Sequence, residues 1–207
     1  MRGRSKSLFL LILSFLALVA AVSLYHRAIA GWFLPLHRQA VELLVPDGWR
    51  VVSLRVTEEK QESFITVRVE TDRPGLLGGQ VIPAGLGING STLLGHALQP
   101  PLLMFTLLLA WLFLAPGKKT GSILLSLPFL LLVEAIDVPL VLVGSIYDIL
   151  HANFAATSAI PIPTRIMHFL NGGGRQALPI AAAIAAIAMG IRIETLFLIR
   201  FRSQRKG

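Results

Sequence analysis

Four runs of hydrocarbon side chains, residues 8–24, 97–114, 122–146 and 178–199, constrain this chain more than anything else in it. A helix needs roughly 20 apolar residues to cross a hydrocarbon layer about 30 Å thick, and each run approaches that length. The expected fold class is a membrane all-α protein of four transmembrane helices, with a small extracytoplasmic α/β (β-hairpin) segment between the first two. Composition agrees. With 54% hydrophobic and 14% charged residues and a mean hydropathy of +0.71, polar surface is too scarce for a soluble globule.

The formal net charge of +8 is an orientation signal and not a nucleic-acid one. Nine of the 19 Lys and Arg residues fall in three tracts free of Asp and Glu: Arg2/Arg4/Lys6, Lys118/Lys119 and Arg200/Arg202/Arg205/Lys206. In a four-crossing arrangement all three tracts lie on one side, which the positive-inside rule makes the cytoplasm, so both termini are cytoplasmic. Residues 26–96, by contrast, hold seven basic and seven acidic residues. With no nucleic-acid motif beside the charge, the expected partners are the lipid bilayer and another integral membrane protein. The chain has no cysteine, which excludes a disulfide scaffold, a thiolate metal site and a cysteine nucleophile. No metal site and no cofactor is indicated.

Residues 1–25 are expected to form an N-terminal anchor. A cleavable signal peptide is the competing reading, because Ala28 and Ala30 form an A-x-A pattern. Against cleavage, the apolar run is 17 residues, longer than an ordinary signal core, and Tyr25, His26 and Arg27 separate it from the pattern. Either way residues 26–96 follow outside the cytoplasm, and residues 97–207 form a three-helix region with a basic tail.

Within residues 26–96, Leu36, Ala40, Val41, Leu43 and Leu44 alternate with His37, Arg38, Gln39 and Glu42 as in a short amphipathic helix, stopped by Pro46, Asp47 and Gly48. Two β-branched runs, 49–56 and 64–71, predict a hairpin whose strands are joined by a charged loop rather than a tight turn. Residues 72–95 contain seven glycines and two prolines, yet most of their other side chains are apolar. They read as irregular backbone lying against a membrane surface or a partner, and they match no phosphate-binding pattern. Downstream, Gly172, Gly173 and Gly174 are expected to break any preceding helix, and Pro179 to sit in the first turn of the last crossing.

The residues that point to chemistry are Glu134 and Asp137, three apart and hence on one helical face within the third apolar run. Charge at that depth is costly, so it normally faces a bundle interior, a watery cavity or a partner. A polar clamp that holds helices or a partner subunit is the favoured reading, and a proton or cation relay is the alternative. Arg192 and Glu194 in the last crossing are the other candidates, Arg192 by snorkelling to headgroups or by pairing with Glu194. The external residues Asp148, His151, His168 and Arg175 read as solvated loop groups that lack a catalytic signature.

The stretches "GHALQPPLLMFTLLLAWLFLAP" and "FLNGGGRQALPIAAA", with the order anchor, short β segment, three crossings, resemble the small membrane proteins that accompany exosortases, particularly the type H associated ones. The resemblance implies a bacterial inner (cytoplasmic) membrane protein involved in envelope protein sorting. Exosortases are thought to use Cys, Arg and His, so a chain without Cys would be the accessory subunit and not the enzyme. An ion-coupled transporter or channel subunit using Glu134 and Asp137 is the competing class.

Overall fold

The computed structural model describes residues 2–77, 79–114, 120–154 and 159–204. Four helical stretches among them are long and apolar enough to cross a membrane: Leu8–Leu44, Leu94–Phe113, Thr120–Phe154 and Ile162–Thr195. Lys118, Lys119, Arg205 and Lys206 lie outside the described residues. In chain order the elements are α1 (Arg2–Leu44), β1 (Trp49–Glu59), β2 (Glu62–Thr71), β3 (Gly75–Leu77), β4 (Gln80–Ile82) and β5 (Gly87–Leu93). They are followed by α2 (Leu94–Ala97), α3 (Gln99–Leu114), α4 (Thr120–Phe154), α5 (Ile162–Phe169), a π-helical turn (Leu170–Gly174) and α6 (Arg175–Gln204). The chain divides into two compact units. One comprises Met1–Leu24, Pro100–Val133 and Gln176–Gly207, the other Tyr25–Gln99 and Glu134–Arg175.

In the first unit α4 and α6 cross where neither has a side chain. A Cβ on Gly121 would lie 2.8 Å from the Gly190 carbonyl oxygen, and one on Gly190 would collide with the Ser122 backbone. Ala183 and Ala186, at 0% exposure, continue the same narrow face of α6. Small residues let two helices approach until backbone meets backbone, which supplies the dispersion contact that hydrophobicity cannot supply in an apolar medium.

The second unit is built on an antiparallel sheet of order β1-β2-β5. Its inner face carries Ile65, Val67 and Val69 of β2, opposite Val56, Leu54 and Val51 of β1 and Thr92, Gly90 and Ile88 of β5. A bulge between Val51 and Ser53 resets the alternation of β1, so Arg50 and Arg55 share the outer face with Arg68 and Glu70. Gly90 rests directly on α4: a Cβ there would be 2.6 Å from Ser145 Oγ and 2.7 Å from the Leu142 carbonyl oxygen. α5 closes on the same helix at Gly144, where a Cβ would be 2.8 Å from the Pro163 carbonyl oxygen and would collide with the Met167 side chain.

Several expectations are corrected. The amphipathic helix starts earlier than its sequence pattern: non-helical backbone at Tyr25 kinks α1, and a second helical stretch runs from there through Leu44. Its inward stripe is Ala30, His37 and Val41, while Leu43 and Leu44 are exposed. The β1–β2 hairpin closes through a tight turn at Lys60 and Gln61, with φ of 47° and 70°, and pairing continues to Glu59 and Glu62. Charged residues there suggest a loop, but a strand end outside a core is free to be polar. The glycine-rich stretch supplies the third strand and a separate β3–β4 hairpin, its base tied by Thr71. That hydroxyl donates to the Pro83 carbonyl at 2.8 Å and accepts the Leu86 N–H at 2.9 Å. The glycine triplet does break the helix, through Gly173 at φ 121° inside a widened turn, but α6 follows at once. Pro179 therefore lies inside α6, and its missing N–H deprives the Arg175 carbonyl of its helical donor.

Gly90→Val should destabilise the sheet-bearing unit by about 1–3 kcal/mol, because the added carbons meet helix backbone that cannot yield. Gly95→Ala, where nothing lies within 4 Å, should leave the thermal midpoint in detergent unchanged or slightly raised. Replacing Lys60 and Gln61 with Asn and Gly should raise that midpoint, by relieving left-handed strain of about 1 kcal/mol per residue.

Candidate functional site

Glu134 and Asp137 lie on one face of α4, and both are turned into their own chain, at 1% and 0% exposure. Glu134 Oε2 is 3.0 Å from His37 Nε2 of α1. The guanidinium of Arg175, the first residue of α6, donates from Nε to Asp137 Oδ1 at 3.0 Å. Nε is also 3.0 Å from Oδ2, a charge contact without hydrogen-bond alignment, so Oδ2 still has no hydrogen-bond partner. Both terminal nitrogens of Arg175 lie 3.5 Å from Thr92 Oγ1, at the weak limit of hydrogen bonding. His37 and Arg175 are themselves 1% and 2% exposed.

Each of these side chains is placed by a separate local cause. His37 belongs to the inward stripe of α1 with Ala30 and Val41, and its ring stacks on Phe33 one turn earlier, centroids 6.1 Å apart. Thr92 is on the inner face of β5 because it pairs with inward-pointing Ile65. Arg175 follows the wide turn directly, and the kink at Gly173, with φ 121°, sets the direction in which α6 and its first side chain leave. Pro139 has no N–H, which leaves the Ala135 carbonyl between the two carboxylates without its helical donor.

The result is a buried polar cluster drawn from α1, α4, α6 and β5, all inside the second unit. It contains two carboxylates, one guanidinium and one imidazole. His37 Nδ1, Glu134 Oε1 and Asp137 Oδ2 are buried there without a hydrogen-bond partner. Charges withdrawn from water persist only when paired, so the two contacts of α4 act as clamps: Glu134 to α1, Asp137 to the start of α6.

The other residues singled out by the sequence lie elsewhere. Asp148 and His168 are exposed, His151 is half-buried, and none of the three joins the cluster. Arg175, expected as a solvated loop group, is its most deeply placed cation. Arg192 is exposed in the first unit. Glu194 accepts the Gly121 N–H at 2.7 Å, so the carboxylate caps the positive N-terminal end of α4. His37 and Thr92 were missed. The signal for His37 was its spacing from Ala30 and Val41, seven and four residues, which outranks the hydropathy of its neighbours.

Each unit carries one further feature. On the outer face of the sheet Glu70 accepts from Arg50 at 3.2 Å and from Arg68 at 3.0 Å, and the Arg50 bond foremost holds its carboxyl below the usual range. In the first unit α3 and α4 enclose an apolar groove of about 300 Å³ lined by Met104, Phe105, Leu108, Ile123, Leu127 and Leu130. Its one polar lining side chain, Ser126, donates its hydroxyl to the Ile123 carbonyl at 2.6 Å, so the groove offers mainly hydrocarbon contact. No protein-family model matches the chain, and neither a curated protein nor a solved structure matches it.

Removing one member of a buried pair strands the other. Arg175→Met should cost about 3–5 kcal/mol in unfolding free energy. Adding Asp137→Leu should restore most of that loss, as read from thermal unfolding of the two purified variants.

Proposed function

We propose that this chain is a non-catalytic accessory protein of the bacterial inner membrane, multi-pass with both termini in the cytoplasm, that binds or positions an envelope protein-sorting partner of the exosortase type. Four apolar helices and the one-sided basic tracts support the placement. The chain's likeness to exosortase companions supports the class of partner. Glu134 and Asp137 serve this role as internal clamps, not as docking groups, since His37 and Arg175 already engage them.

The observation that carries a docking role is the β3–β4 hairpin. Leu76 and Val81 face one another across it and are 76% and 66% exposed. Thr71 anchors its base to a sheet that is in turn seated on α4 at Gly90. An exposed apolar pair on a hairpin whose base is hydrogen-bonded to the sheet suits a protein partner, because part of the ordering entropy is already spent.

A second reading, an ion-coupled transporter or channel subunit using Glu134 and Asp137, gains support from the company these residues keep. Four ionisable groups on three helices, with unpaired polar atoms among them, make a fuller relay than two carboxylates alone.

The deciding experiment is affinity purification of the tagged protein from its native membrane in mild detergent. A multi-spanning partner should travel with wild type and with Glu134→Gln. It should be lost from the Leu76→Asp, Val81→Asp variant while that variant keeps its thermal midpoint. Retention of the partner by the hairpin variant counts against this docking surface. Proton flux into proteoliposomes that is abolished by Glu134→Gln would favour the second reading.

A further inference from the structure

The charge inventory of the cluster does not balance. Two carboxylates, Glu134 and Asp137, face a single permanent cation, Arg175, which lies against Asp137 at 3.0 Å. The 3.0 Å gap between His37 Nε2 and Glu134 Oε2 must contain a hydrogen for the contact to be attractive. With only that one hydrogen, a neutral ring would face a carboxylate, and the cluster would hold one uncompensated negative charge at about 1% exposure. The remaining charged and titratable neighbours do not supply a counter-charge. His96 of α2 is exposed, and Arg38 of α1 is paired outward with Glu42.

We propose that the His37–Glu134 pair is a proton-binding site: it holds a second proton, taken from solvent, and is formally neutral in the folded protein. One proton is added and no other bond is made or broken. The ring then carries hydrogen on Nδ1, and the other proton lies between Nε2 and Oε2. Nδ1 and Glu134 Oε1, buried and unpartnered, are the donor and acceptor left at the two ends of this unit. The bound proton is what lets α1 and α4 remain clasped in the absence of water. Asp137–Arg175 needs no such ligand, so the two clamps differ in kind, one fixed and one conditional on proton supply. This inference stands whether or not the β3–β4 hairpin docks a partner.

The folded form holds a proton that the unfolded chain releases at neutral and mildly alkaline pH, so stability should fall as pH rises through that range. Glu134→Gln, a neutral mimic of the carboxylic acid, should flatten the profile.

The direct test is nitrogen NMR of the full-length protein in nanodiscs with ring-labelled histidine, using His37→Gln to assign the His37 signals. At about pH 7, above the ordinary imidazole value of about 6.5, wild type should show His37 with Nδ1 protonated. A His37 ring with bare Nδ1 and hydrogen on Nε2 alone at that pH would overturn the proposal. So would a wild-type thermal midpoint that does not fall between about pH 6 and pH 9, across which the unfolded chain's imidazole is losing or has lost its proton.

Discussion

Two carboxylates in a place that excludes water are the constraint on which the rest of the second unit depends. Glu134 and Asp137 leave α4 on the same side, and each would be prohibitively costly alone. Their partners come from elements far away in sequence, His37 from α1 and Arg175 from α6. Satisfying the two charges therefore amounts to specifying which helices α4 holds. Apolar packing is permissive about register and rotation. A pair of directed contacts three residues apart is not.

The sheet belongs to the same arrangement. Thr92 reaches the Arg175 guanidinium because β5 is the strand that lies on α4, and β5 can lie there because Gly90 has no side chain. Gly144 and the π turn serve the other side of the helix, the first by admitting α5, the second by aiming Arg175 inward. Backbone special cases thus cluster around the polar site. A wide turn with a non-helical residue between two helices costs hydrogen-bond geometry, and such turns persist where a side chain must be re-aimed. Glycine at 173 is required by its positive φ; at 90 and 144 the requirement is close approach.

Where the sequence misled, it did so for local reasons. Residues 72–95 are rich in glycine, which argues against strand, yet β5 forms because its alternate positions Ile88, Gly90 and Thr92 face a surface that wants small and apolar groups. Strand preference here is a property of the neighbour and not of the residue. The glycine triplet does break the helix, at Gly173, but α6 resumes at Arg175, ahead of the apolar run that marks the last crossing. In the region 36–44 the eye follows Leu43 and Leu44, which the structure leaves exposed, and passes over a histidine that is buried.

What the sequence determined by itself was the set of long apolar helices, the existence of the β1–β2 hairpin, and the two carboxylates as the anomaly to be explained. Those follow from length, period and the cost of misplaced charge, all of which are local quantities. Only the tertiary structure decided the partners of those carboxylates and the third strand. Each depends on a contact between residues whose separation along the chain no periodicity encodes: 97 residues for His37 and Glu134, 38 for Asp137 and Arg175. A buried charge announces from sequence that it must have a counterpart; which side chain provides it is settled by packing.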